Sequence, residues 1–149
     1  MKNNKTIVGG TFDHFHKGHK ALLEKAFQTG QVSVGLTSDR MAEERKKRKI
    51  ESYEKREVSL RAFAQERNQE IEVRTIEDAY GFSLEDDFKN IVVSEETRDM
   101  ALKINKERKK AGKQPLSIVE IDLVLAKDGK TISSTRIYNN KIDREGNLV

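Results

Sequence analysis

The sequence predicts an α/β fold, a single Rossmann-like doubly wound parallel five-stranded sheet with helices on both faces, occupying residues 1–149 as one domain. Three observations predict it. Short β-branched apolar runs recur along the chain, stretches with helical periodicity separate them, and glycine-rich or hydroxyl-rich segments follow directly on two of the runs. Strands joined by crossover helices pair in parallel, and such sheets bind ligands beyond the carboxyl ends of their strands.

The first run is Thr6 to Val8, followed by a helix over about Gly18 to Gln28 with Leu22, Leu23, Ala26 and Phe27 at core spacing. Val32 to Leu36 forms the second strand. A helix over about Tyr53 to Arg67 presents Val58, Leu60, Ala62, Phe63 and Ala64 as its apolar side, and Ile71 to Ile76 follows as the third strand. The fourth strand, Ile91 to Val93, leads into a helix over Glu95 to Ala111, with Met100, Ala101 and Ile104 inward, Ser94 as N-cap and Gly112 as its stop. The only proline, Pro115, falls in the turn before a fifth strand over Ile118 to Leu125.

Composition narrows the function classes. The chain has 149 residues, 35% hydrophobic and 36% charged, with a mean hydropathy of -0.78, which suits one compact core under a heavily charged surface. Without cysteine there is no disulfide, thiolate nucleophile or cysteine-based zinc site. Neither a signal peptide nor a long apolar span is present, so a cytoplasmic protein without membrane contact is expected. The net charge of +4 is concentrated in Arg45-Lys46-Lys47-Arg48-Lys49, a weak argument for nucleic acid, and no nucleic-acid partner is expected. The oligomeric state stays open, with a monomer favoured.

The chemistry lies in two segments. Gly9-Gly10-Thr11-Phe12-Asp13-His14-Phe15-His16-Lys17-Gly18-His19 spans the first strand-to-helix junction, where unpaired N–H groups and glycines let anionic oxygens approach. His16 and His19, three apart, can face the same side as aimed donors, with Gly18 leaving room for a nucleotide between them. Gly10, Thr11 and Phe12 complete the phosphate-facing turn; Phe12 packs beneath it, Asp13 braces it by accepting main-chain N–H bonds, and His14 is a loop side chain. The second segment, Ile132-Ser133-Ser134-Thr135-Arg136-Ile137, offers the hydroxyls of Ser133, Ser134 and Thr135 at another helix start, with the planar cation of Arg136 for phosphate.

These segments resemble the nucleotidyltransferases that carry an H-x-G-H signature with a late I-S-S/T-x-R motif. Within that superfamily the chain is most similar to phosphopantetheine adenylyltransferases of the archaeal and eukaryotic type, whose G-G-T-F-D-x-x-H-x-G-H start, I-S-S-T-R-I segment and final I-D-x-E-G all stand here, the last as Ile142-Asp143-Arg144-Glu145-Gly146. The resemblance implies transfer of adenylate from ATP to 4'-phosphopantetheine, giving dephospho-coenzyme A and pyrophosphate, with Mg2+ carried on the nucleotide and no dedicated protein metal site. It implies His16 and His19 as catalytic groups and, with Gly10, Thr11, Phe12, Ser133, Ser134, Thr135 and Arg136, as ATP-binding. It places Thr11 and a lysine on the acceptor phosphate. Lys49, before Glu54-Lys55-Arg56, is the nearest match for that catalytic and substrate-binding lysine, with Lys46 and Lys47 as competitors. Bacterial relatives carry arginines after the fourth strand where this chain has Ser94-Glu95-Glu96-Thr97, and the pantetheine contacts stay open for that reason. The alternatives are an FAD synthetase or cytidylyltransferase of the same superfamily and, from another class, a nucleic-acid-binding module.

Overall fold

The computed structural model describes residues 4–78, 80–85 and 87–149. Ten elements follow one another: β1 (Lys5–Gly10), α1 (Lys17–Thr29), β2 (Gln31–Thr37), α2 (Asp39–Lys46), α3 (Tyr53–Glu66), β3 (Ile71–Ile76), β4 (Phe88–Val93), α4 (Arg98–Lys110), β5 (Ser117–Glu120) and α5 (Ser134–Tyr138). The strands form one all-parallel sheet in the order β3-β2-β1-β4-β5. The chain order reverses between β1 and β4, which opens a crevice at their carboxyl ends, where the first motif segment begins.

Alternation along the strands divides the core between two faces. Val8, Val32, Val34, Leu36 and Val92 pack against Leu22, Leu23, Ala26 and Phe27 of α1 and Leu60, Phe63 and Ala64 of α3. Ile7, Ile91 and Val93 face the other way, onto Ala101 and Ile104 of α4 with Phe82, Phe88 and Leu116. Helices therefore cover both faces. Among the described residues no helix is long and apolar enough to cross a membrane.

Four elements depart from the sequence reading. Helix α2 was not anticipated: it buries only Met41 and Ala42, too few for a visible stripe, and is started by the Ser38 hydroxyl accepting from Met41 N. On α3, Val58 is 66% exposed and Ala62 is exposed, while Arg56 is fully buried and bonded to the carbonyl of Thr37 at the end of β2. Helix α4 starts at Arg98 with Thr97 as N-cap; Ser94 to Thr97 instead form a turn, with Ser94 N donating to Thr97 Oγ1 and Thr97 N to Ser94 O. Gly112 does end that helix region, at φ +74°. The fifth strand stops at Glu120 because its neighbour β4 stops at Val93; after the Ile121 N to Val93 O bond the chain leaves the sheet. Residues 124–132 then fold back on themselves through the Leu125–Thr131 bridge.

Candidate active site

At the end of β1 the backbone takes an uncommon path. Phe12 (φ 54°) and His14 (φ 47°) both adopt left-handed conformations that bulky side chains avoid, so neighbouring groups must hold them there. Arg56, wholly buried, donates from Nη1 to Thr11 O and Thr37 O at 2.9 Å each, from Nε to Glu51 O at 2.8 Å and from Nη2 to Asp39 Oδ1 at 2.8 Å. Asp13 accepts from Glu51 N at 2.9 Å, the main-chain bracing expected of it, and also pairs with Arg48 at 2.7 Å. Glu51 accepts from His14 N at 2.8 Å and from Arg144 Nη2 at 3.2 Å. Burial pushes the Glu51 pKa up, but the His14 N–H, the His14 ring and Arg144 outweigh it and hold the carboxyl below its ordinary value.

The H-x-G-H signature is a capping box built from imidazoles. His16 is the N-cap of α1, and its Nδ1 accepts from Gly18 N at 3.0 Å and His19 N at 3.4 Å; His19 Nδ1 accepts from His16 N at 3.1 Å. An Nδ1 that accepts a main-chain N–H cannot carry a proton, so both rings are neutral with their protons on Nε2. Burial lowers the His16 pKa to about 4, with Lys46, Arg144 and His14 adding and Asp13 opposing. His19 lies well below its ordinary value, through burial first, then His16, Lys46 and Arg144. The sequence left the charge state of these donors open, and the fold selects the neutral one.

The rings of His16 and His19 are stacked, with centroids 3.6 Å apart and planes 19° from parallel, and Phe12 and Phe15 pack on His19 at 5.0 and 5.5 Å. This corrects the role given to Gly18. No nucleotide fits between the rings; a Cβ at Gly18 would lie 2.9 Å from His16 Cε1, so the glycine leaves room for the imidazole itself.

One continuous cleft joins the motif segments. His16, His19 and Lys46 line it together with Ser94, Asp122 and Ser133 to Thr135. A second lobe continues past Gly10, Thr11, Phe12, Arg45, Glu96 and Ser134. Beyond Gly9 and Gly10 an apolar groove opens between Ile7, Ile76, Phe82, Ile91 and Met100, with Arg45 at its mouth. Thr11 Oγ1 accepts from Thr37 Oγ1 at 3.1 Å.

Two sequence-expected residues sit elsewhere. Arg136 lines neither lobe; its guanidinium grips Asp128 and the carbonyl of Thr131 (3.1 Å), tying the 128–131 turn to α5. Lys49 is exposed and off the cleft wall, as is Lys47, the left-handed C-cap of α2 (φ 56°). That turn leaves Lys46 in the cleft and sends Arg48 inward. Sequence reasoning missed Arg48, Arg56 and Arg144, whose partners are distant in the chain; the E-x-R spacing at Glu54 to Arg56 was the only hint of the second.

The comparisons with known proteins agree with this geometry. A family model described as cytidylyltransferase-like matches residues 7–140. The chain is 46% identical over 150 residues to the phosphopantetheine adenylyltransferase of Methanosarcina acetivorans, covering 97% of this chain and 95% of that one. The chain belongs to the phosphopantetheine adenylyltransferase family. The family member of Archaeoglobus fulgidus is 42% identical over 147 residues, covering 97% and 99% of the two chains. A crystal structure of a protein of unknown function from Archaeoglobus fulgidus superposes with a TM-score of 0.74 at 38% identity, over 79% of this chain and 89% of that one. The tyrosyl-tRNA synthetase of the same organism shares the fold alone, with a TM-score of 0.63 at 14% identity over 91% of this chain and 60% of that one. With relatives so named at this coverage, the FAD synthetase and cytidylyltransferase alternatives are not favoured.

Proposed function

We propose that this protein transfers the adenylyl group of ATP to 4'-phosphopantetheine, releasing pyrophosphate and forming dephospho-coenzyme A. An oxygen of the acceptor phosphate attacks the α-phosphorus, the bond to the oxygen bridging α and β breaks, and the electron pair leaves with pyrophosphate; no covalent enzyme intermediate forms. The observation that carries the reading is a single cleft lined by the two Nε2–H imidazoles, Lys46 and the Ser133–Thr135 hydroxyls, continuous with an apolar groove.

The triphosphate occupies the lobe between the α1 entrance and Ser133 to Thr135. His16 and His19 donate through Nε2 to phosphate oxygens that gain charge in the transition state, and their stacked, capped rings lose nothing to reorientation as they do so. Lys46 neutralises charge between the two lobes, and Thr11 receives the acceptor phosphate, which keeps the attacking oxygen in line. The pantetheine arm lies along the groove past Gly9, where apolar side chains take its methyl and methylene groups. Arg136 supports the nucleotide indirectly, through the turn it holds.

Glu96 and Asp122 border the cleft, and among the described residues no group of three or more potential ligands surrounds a metal position. That donor set fits Mg2+ held by phosphate oxygens and water, with at most a carboxylate from the wall. When bound, the metal offsets charge on the phosphates.

Purified protein with ATP, Mg2+ and 4'-phosphopantetheine is expected to release pyrophosphate in step with dephospho-coenzyme A. Turnover confined to nicotinamide mononucleotide, FMN or a phosphorylated polyol, or dependent on CTP, overturns the assignment.

A further inference from the structure

The basic run between α2 and α3 holds one residue that is neither a solvated cation nor placed to touch phosphate in the reading above. Arg48 has a side chain only 10% exposed, paired with the fully buried carboxylate of Asp13. Nη1 donates to Asp13 Oδ2 at 2.7 Å and to Lys49 O at 3.2 Å. Nη2 donates to Ser134 Oγ at 3.1 Å and reaches Thr135 Oγ1 at 3.5 Å, 86 and 87 residues away in sequence. The Tyr138 ring lies 4.6 Å from the guanidinium carbon, covering one of its faces. Nε is buried with no partner among the described residues, so the planar fork is committed there through its two terminal nitrogens.

We infer that Arg48 is a positioning residue for adenylyl transfer: it bridges Asp13 of the histidine loop to Ser134 of the late motif and fixes the direction in which the Ser134 hydroxyl donates. The chemistry is directional. Guanidinium has donors only, so Ser134 Oγ must accept from it, and the serine proton is then free to point away. Ser134 is itself buried and lines both lobes of the cleft, so away from Arg48 lies the place of the anion. Without that donor the hydroxyl can rotate to give its proton to a local acceptor and present lone pairs to a phosphate. Arg48 also fixes the distance between two loops that share no main-chain ladder. A lysine has one nitrogen on a flexible stem and cannot satisfy Asp13 and Ser134 together in the plane that Tyr138 covers.

The inference rests on the nucleotidyltransferase reading, and ATP binding separates the two. Calorimetric titration with ATP and Mg2+ is compared for wild type, Arg48→Lys, Ser134→Ala and the double variant, with thermal melts on each and turnover of 4'-phosphopantetheine recorded separately. Each single variant is expected to bind ATP about tenfold more weakly, and the double variant no more weakly than Ser134→Ala alone, because the arginine acts through that hydroxyl. A brace for Asp13 and nothing else lowers the melting temperature without coupling to Ser134. Wild-type affinity in either single variant, or losses that multiply in the double, overturns the inference. Should Arg48→Lys fail to fold, Arg48→Gln combined with Asp13→Asn leaves no lone buried carboxylate and is carried through the same cycle with the same expected outcome. A wild type that binds ATP but ignores 4'-phosphopantetheine refutes the substrate assignment and leaves the Arg48 cycle readable.

Discussion

His16 and His19 cap each other: each imidazole uses Nδ1 to accept a main-chain N–H belonging to the other residue, and the rings stack at 3.6 Å. Nδ1 of each ring is thus spent on the helix entrance, which leaves the Nε2–H as the donor each ring can offer a ligand. The H-x-G-H spacing is the N-cap to N3 spacing of a capping box, with imidazole in place of hydroxyl and carboxylate.

A first prediction follows from separating those nitrogens. Asparagine places an acceptor near the position of Nδ1 and nothing at Nε2, so His19→Asn is expected to keep the helix entrance while losing the phosphate donor. kcat should fall by roughly a hundredfold or more, about 3 kcal/mol of barrier, as for a lost oxyanion donor. The thermal midpoint should fall only by the packing lost with the ring, which Phe12, Phe15 and His16 contact, so kcat is compared at matched fractions folded. An unchanged kcat removes His19 from the chemistry.

The pH dependence has a definite sign. His16 titrates at about 4 in the folded protein and near 6.5 unfolded, so between these values the unfolded chain binds more protons. The His16 contribution to stability is fully present above about pH 7, is lost as pH falls toward 4, and is gone below, a difference of about 3 kcal/mol. His19, shifted the same way, steepens the loss. Denaturant melts from pH 4 to 8 check this. The rate profile should show no histidine limb near pH 6.5, whereas catalysis by imidazolium would produce one.

Gly18→Ala puts a methyl group 2.9 Å from His16 Cε1 and 3.1 Å from its Nδ1. The ring must swing off the cap, which costs roughly 1–2 kcal/mol of stability. The activity loss should exceed that of a remote helix substitution with the same stability cost, measured by kcat at matched fractions folded.

The lysines can be told apart. Lys46→Ala is expected to lower kcat/KM about a hundredfold, the scale of a lost transition-state contact, whereas Lys49→Ala stays within twofold. The reverse ranking in steady-state assays restores the sequence-based choice.

Much of the sheet was legible because strand and helix periods survive in a single sequence: Val8 and Ile7 point to opposite faces as their alternation requires, and the α1 stripe of Leu22, Leu23, Ala26 and Phe27 is buried as read. The meeting of the histidine loop with Ser133 to Thr135 in one cleft was also expected from strand-end position. What could not be read is what depends on partners far away in the chain. Val58, expected on the apolar side of α3, is exposed, and Arg56 is buried instead because it finds carbonyl acceptors on Thr11 and Thr37, which no local pattern encodes. Which of Lys46, Lys47 and Lys49 lines the cleft depends on a left-handed residue at Lys47, a conformation that a lysine does not advertise. Arg48, in a run that reads as solvated charge, was hidden for the same reason.

The histidine loop is also tied to residues more than a hundred positions further along the chain. Lys17 N, one of the first donors of α1, is satisfied by Arg144 O, while the Arg144 side chain reaches Glu51 and Phe15 O. During synthesis the early loop leaves the ribosome far ahead of residue 144, so a nascent chain presents its imidazoles without the brace that orders them. Productive nucleotide capture should accordingly wait until residue 144 has emerged and docked.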